Sequence, residues 1–256
     1  GRGVLLIENA ARLWQDFGTM AMFDEAKTVI LETGHDRRAM VRAALFKFGD
    51  TLAEKIRGAK SIFIHPNLVT HFRASATTDV EAVRGVLDHI SMHRADEVVI
   101  GDAAYHGTKR AFEKLGYESL RRSGNIRLVD LNDDETIESF AYDADLKKRP
   151  LPFSKTVATA GMNIVVVPAK MHSYYTVSLS IKTHVVGSEV VPPSPFGIHA
   201  RWPWLHTGYK PAHRTLAEVY AEHPAELAVI DGTRAMEGNG PAAGRSVDLG
   251  WLIASL

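Results

Sequence analysis

The feature that most limits what this chain can become is its alternation of short, branched apolar runs with segments of helical period. Residues 61–64, 97–100, 126–131, 164–167, 227–230 and 249–253 are each dense in Val, Ile, Leu or Phe. Runs that are apolar at nearly every position read as strands covered on both faces. Helical stretches lie between them, at 37–48, at 108–115 (closed by Gly116) and at 216–222. Another runs to about residue 93, with Val80, Val83, Val86, Leu87 and Ile90 at helical spacing behind the N-cap candidates Thr77, Thr78 and Asp79. Residues 4–7 read as a further strand, 24–30 as a further helix, and 176–186 as an extended segment. Strands interleaved with helices imply parallel pairing. The expected fold is α/β: a mostly parallel sheet flanked by helices in three layers. Residues 1–256 would form one domain, with lobes at about 1–150 and 151–256.

Composition narrows the functions open to such a fold. The chain contains no cysteine, which excludes thiolate zinc sites, cysteine nucleophiles and any cysteine-ligated iron–sulfur cluster within it. Thirty basic residues balance thirty acidic ones, an argument against nucleic acid or an anionic membrane surface as the main partner. No apolar run approaches the roughly 18 residues of a membrane span. With 45% hydrophobic and 23% charged residues, a soluble globular protein is expected, cytoplasmic or exported. The start Gly1-Arg2-Gly3 lacks an initiator Met, so the chain is expected to be processed or trimmed from a longer one.

Ligands of parallel sheets gather at the carboxyl ends of strands, and four such places carry chemistry here. After the run at 97–100 come Asp102, His106 and Lys109, a carboxylate, an imidazole and an ammonium at a strand-to-helix turn. The plainer reading is a capping Asp beside solvated side chains. In 176–186, alternation puts Thr176, Ser178, Ser180, Lys182 and His184 on one face, which His172 and Tyr174 would join if the strand reached back to them. Lys beside hydroxyls and imidazoles suits a carboxylate or phosphate; an antiparallel strand with one wet face needs no function. His199, His206 and His213 fall seven apart near Arg201, Trp202 and Trp204, but Pro203 and Pro211 forbid a continuous helix. A long binding loop or an ordered surface loop remains, with metal ligation open to neutral imidazoles. After the run at 227–230, Asp231, Glu237 and Asn239 sit among glycines and supply hard oxygen ligands or acid–base groups, unless they only satisfy their own turn.

These stretches resemble a known family. Residues 231–241, D-G-T-R-A-M-E-G-N-G-P, are similar to the signature of the DUF362 family, uncharacterised proteins of which some are fused to ferredoxin-type iron–sulfur modules. His65-Pro66-Asn67-Leu68-Val69 resembles its K-P-N-L-V, and Thr77-Thr78-Asp79 its A-T-T-D. Gly101-Asp102 with Gly107-Thr108 resembles its G-D-x-x-x-x-G-T, and 168–187 its lysine–histidine stretch. Leu128-Val129-Asp130-Leu131-Asn132 fits as well. The resemblance implies Lys170, His172, Lys182, Asp231, Glu237 and Asn239 as site positions. His65, Ala169 and Thr183 depart from the family's Lys, Lys and Asn, and no cluster-bearing module is present. A remoter analogy, in the layout of Lys and His, is to nickel-dependent lactate racemase.

The expected function is an enzyme acting on a small carboxylate- or phosphate-bearing molecule. His172, His106 and Lys182 are the catalytic candidates; Lys170, Asp102, Asn67, Asp231, Glu237 and Asn239 are the binding candidates. A divalent metal is the cofactor this pattern allows, with His65, His184, His199 and His206 as ligand candidates. The rivals are an accessory of an iron–sulfur electron-transfer system and a binding domain without catalysis.

Overall fold

In a computed structural model the described residues are 28–122, 124–196, 198–200 and 205–256. The strand expected at 4–7 and the start of the helix expected at 24–30 lie outside them, as do Arg201, Trp202, Pro203 and Trp204. The end of that helix is a strand instead. β1 (Val29–Thr33) pairs antiparallel with the last strand, β11 (Trp251–Ser255). Its alternating burial is that of an edge strand with one covered face.

The remaining strands are β2 (Ile62–Pro66), β3 (Val98–Asp102), β4 (Ile126–Asp130), β5 (Thr136–Tyr142), β6 (Lys148–Ser154), β7 (Met162–His172), β8 (Thr176–Ser178), β9 (Leu227–Glu237) and β10 (Arg245–Val247). Nine strands make one sheet in the order β1-β11-β9-β7-β2-β3-β4, with β8 added to β7 and β10 to β9. The pairs β2–β3, β2–β7, β3–β4 and β7–β9 are parallel. β2 and β3 are buried at every position, which is why their sequences are continuously apolar. The sheet is mixed, mostly parallel, and flanked by helices.

The two faces bury different partners. Ile62 and Ile64 of β2 point to a core built with α1 (Arg37–Phe46), α2 (Gly49–Gly58), α3 (Val80–Ser91) and α4 (Thr108–Lys114). Phe63 points the other way, to a core with α5 (Lys155–Thr159), α6 (Ser180–Val186), α7 (Tyr209–Glu222) and the β5–β6 hairpin. Asp79 caps α3 by accepting from Glu81 N at 2.9 Å. Thr78, the alternative cap, instead donates to Val166 O at 2.6 Å and ties α3 to β7.

Two sequence expectations are corrected. The extended segment at 176–186 breaks after β8: Thr183 N donates to Leu179 O and Gly187 N to Thr183 O, the bonding of a helix. Packing of Val185 and Val186 into the second core outweighs the strand preference of its β-branched residues. The β5–β6 hairpin gave no sequence signal, because Pro150 and Pro152 demote β6. The outer edge of β6 is met only by the short stretch 188–190, where Pro152 O accepts from Val190 N at 2.9 Å, so prolines on that edge strand are tolerated.

Candidate functional site

The carboxyl ends of β2, β3 and β7 open into a cavity of about 320 Å³. Asn67, Asp102, His106, His172, Lys182 and His206 all line it. They come from five separate stretches of chain: the turns after β2 and β3, the β7–β8 turn, α6, and the segment before α7.

Two buried polar chains hold the floor, and both start on α6. His184 Nδ1 lies 3.3 Å from His65 Nδ1, and His65 Nε2 lies 3.3 Å from Asp102 Oδ1. The second carboxylate oxygen of Asp102 accepts from Leu68 N at 2.6 Å. In the other chain, Lys170 Nζ donates to Asn67 Oδ1 at 2.8 Å and to Ala76 O at 2.6 Å. Asn67 Nδ2 in turn donates to Thr183 Oγ1 at 2.8 Å. Consecutive residues of α6 therefore both bind the end of β2, from which one chain runs on to β3 and the other to β7, while Lys182 beside them lines the cavity. This close docking requires glycine at the end of α6. A Cβ on Gly187 would stand 2.5 Å from Asp102 Oδ1 and 2.6 Å from His65 Nε2.

Burial governs the electrostatics of the site. Burial drives the Lys170 ammonium well below its ordinary pKa, and the like charge of Lys182 adds to the effect. Burial first, then Lys182 and Lys170, pushes His172 down to about 3. Burial and the adjacent His65 push His184 down to about 3 as well. Both rings are thus neutral at pH 7. His172 Nδ1 accepts from Tyr174 N at 3.1 Å and Tyr175 N at 3.3 Å. An imidazole nitrogen that accepts carries no proton, so the proton of neutral His172 sits on Nε2. His106 is the reverse. Its Nδ1 lies 3.1 Å from the carbonyl of Val69 and must donate, which leaves Nε2 as the basic nitrogen when the ring is neutral. Of these two cavity-lining rings, His172 thus carries its N–H at Nε2 and neutral His106 a lone pair there.

Several expected residues lie elsewhere. Asp231 falls inside β9, which runs on to Glu237, not at a strand end. There it pairs with Arg37 Nε at 2.7 Å and accepts from Thr233 N at 2.8 Å. Glu237 is exposed and paired with Arg245, and Asn239 is exposed. The same loop does reach the cavity, through Pro241 and Ala242. Gly240 makes this approach possible, because a Cβ there would overlap the carbonyl oxygen of Met171. Lys170 is fully buried behind Asn67 and does not line the cavity.

The four histidines proposed as metal ligands separate. His65 and His184 face each other, His206 lies against Tyr174 with ring centroids 4.6 Å apart, and His199 Nδ1 bonds Val191 O at 2.6 Å. Among the described residues no group of three or more His, Asp or Glu side chains has the arrangement of a metal site. Thr183 and Gly187, which the sequence reading passed over, are structural parts of the floor. Thr183 had one signal, its place where the family has Asn.

No helix among the described residues is long and apolar enough to cross a membrane. The comparison with curated proteins returned no match. Among solved structures, the fold is similar to that of a lactate racemase apoprotein from Thermoanaerobacterium thermosaccharolyticum. The TM-score is 0.54 at 16% identity, over 90% of this chain and 56% of that one. A crystal structure of a Thermotoga maritima protein aligns with a TM-score of 0.48 at 11% identity, over 84% of this chain and 55% of that one. The chain therefore spans a little over half the length of each. The model of the family described as a domain of unknown function, DUF362, matches residues 62–256, a stretch that carries every strand of the cavity, and the chain belongs to that family.

Proposed function

We propose that this protein is an enzyme that binds a small carboxylate or phosphate anion in the cavity and moves a proton on it. The observation that carries the reading is the grouping of Lys182, His172 and His106 on one cavity, with the two histidine protons fixed on opposite ring nitrogens. Lys182 supplies the positive charge for the anion. His172, neutral and protonated at Nε2, donates a hydrogen bond to developing negative charge without becoming cationic. His106, with a free basic nitrogen, is the group able to take a proton and return it. Asn67 and Asp102, engaged by Lys170, Thr183, His65 and Leu68 N, fix the floor beneath the anion. The fold likeness to a lactate racemase apoprotein makes 2-hydroxy acids the first carboxylates to try.

Calorimetric titration of the wild-type protein and Lys182→Ala with lactate and with inorganic phosphate tests the reading. At least one anion is expected to bind the wild type, and its affinity to fall about ten-fold or more in the variant, the loss of one charged hydrogen bond. The melting temperature should hold, since Lys182 is only half-buried. Equal affinity in the two proteins would count against the proposal.

A further inference from the structure

We infer that the ligand of this cavity is amphipathic: one anionic head on Lys182 and His172, and an uncharged aromatic or branched body against Val186, Ala103 and Tyr105. The inference rests on the anion reading above and names the class of molecule that fits.

The one ammonium among the described lining residues, Lys182, stands on the side of the β7–β8 turn, and apolar side chains line the cavity a helical turn away. Lys182 and Val186 are four residues apart on α6 and so share one side of that helix. Lys182 Nζ lies 5.9 Å from the Tyr175 ring, on the side of the β7–β8 turn that also carries His172 and Tyr174. One turn later, Val186 lies beside Ala103, whose N–H donates to Gly187 O at 3.0 Å. Tyr105 and Val69 also line the cavity, with His106 beside both of them through its ring contact to Tyr105 and its 3.1 Å bond to Val69 O, while Pro241 lines it from beside the β7–β8 turn. Asp102, the one carboxylate among the described lining residues, has both oxygens engaged by His65 and Leu68 N. It therefore does not call for a second cationic group on the ligand. A cavity of about 320 Å³ stands at the lower end of the roughly 300–1,000 Å³ range of small-molecule sites. An acid of two or three carbons seated on Lys182 would leave the Val186 end filled with water. A ring or branched chain there displaces that water from apolar wall, which is the favourable direction.

Calorimetry on the whole chain with matched probes separates this inference from the one beneath it. The pairs are lactate with 3-phenyllactate, and inorganic phosphate with phenyl phosphate; 3-phenylpropane-1,2-diol supplies the body without the charge. The ring-bearing anion of at least one pair should bind about ten-fold tighter or better than its ringless partner, and the diol about ten-fold weaker than 3-phenyllactate. Val186→Phe, which fills the apolar end, should remove the advantage of the ring while leaving the ringless anion unchanged. Equal affinities within both pairs would overturn the amphipathic ligand and leave the anion site standing. A diol that binds as tightly as 3-phenyllactate, or no binding by any anion, would overturn the anion site itself. The probe series on the wild type decides the question even where Val186→Phe fails to fold.

Discussion

At the scale of single residues, the buried histidine His184 carries the clearest consequence. Its ring is fully buried and held down to about 3, chiefly by burial and then by His65. An unfolded histidine titrates near 6.5. The unfolded chain therefore takes up a proton before the folded one does, and stability that is complete above about pH 6.5 is lost as the pH falls toward 3. The contribution of this one ring is roughly 1.4 kcal/mol per pH unit inside that window. Replacing it by a group that does not titrate, His184→Gln, should flatten the acid slope of a denaturant-unfolding series between pH 6 and 4 by about that amount. An unchanged slope would mean that the ring is protonated in the folded protein. Gly187 gives a second test at this scale. Gly187→Ala places a methyl group against Asp102, His65 and the carbonyl of Thr183, an overpacking expected to cost about 1–3 kcal/mol of stability. A variant as stable as the wild type would show that α6 is not docked as described.

Among elements, α6 is where reading and structure diverge most. Thr176 to His184 alternates polar and apolar residues as well as any strand in the chain, yet a helix begins at Ser180. The alternation was real but local, and what decided the outcome was distant. Thr183 meets Asn67 across 116 residues, and His184 meets His65 across 119. The distinction can be measured. Ser180 is the first residue of the helix, and Leu179 before it is extended, with φ −115° and ψ −156°. Proline fits a first helical position and an extended predecessor. Ser180→Pro should therefore change thermal stability by no more than about 0.5 kcal/mol. A continuous strand through 176–186 would lose several times that. The apolar runs at 61–64, 97–100 and 164–167 were legible for the opposite reason. Apart from the exposed Ser61 and Glu97 at their starts they are buried on both faces, so each remaining side chain records the burial, and the residues that follow them mark the cavity. Asp231 was not legible. Its partner Arg37 lies 194 residues away, and nothing nearby tells a carboxylate held by arginine from one open to a ligand.

For the whole molecule, the account depends on distant segments meeting at one place. Strands from both halves of the chain interleave in a single sheet, with β7 between β2 and β9. That order sets the turns after β2, β3 and β7 side by side and leaves α6 to close the cavity over them. The sequence supplied the candidates Asn67, Asp102, His106, His172 and Lys182 individually. Their convergence is a property of the topology, as is the exclusion of Glu237 and Asn239. The most direct test observes two of these residues at once. Long-range ¹H–¹⁵N correlation spectra of the imidazole rings should show His172 protonated on Nε2 and His106, where neutral, on Nδ1. Addition of lactate or of inorganic phosphate should then shift both rings with one shared dissociation constant in the wild type, and with a constant about ten-fold or more higher in Lys182→Ala. Rings that respond with different constants, or that respond to neither anion, would contradict a single site.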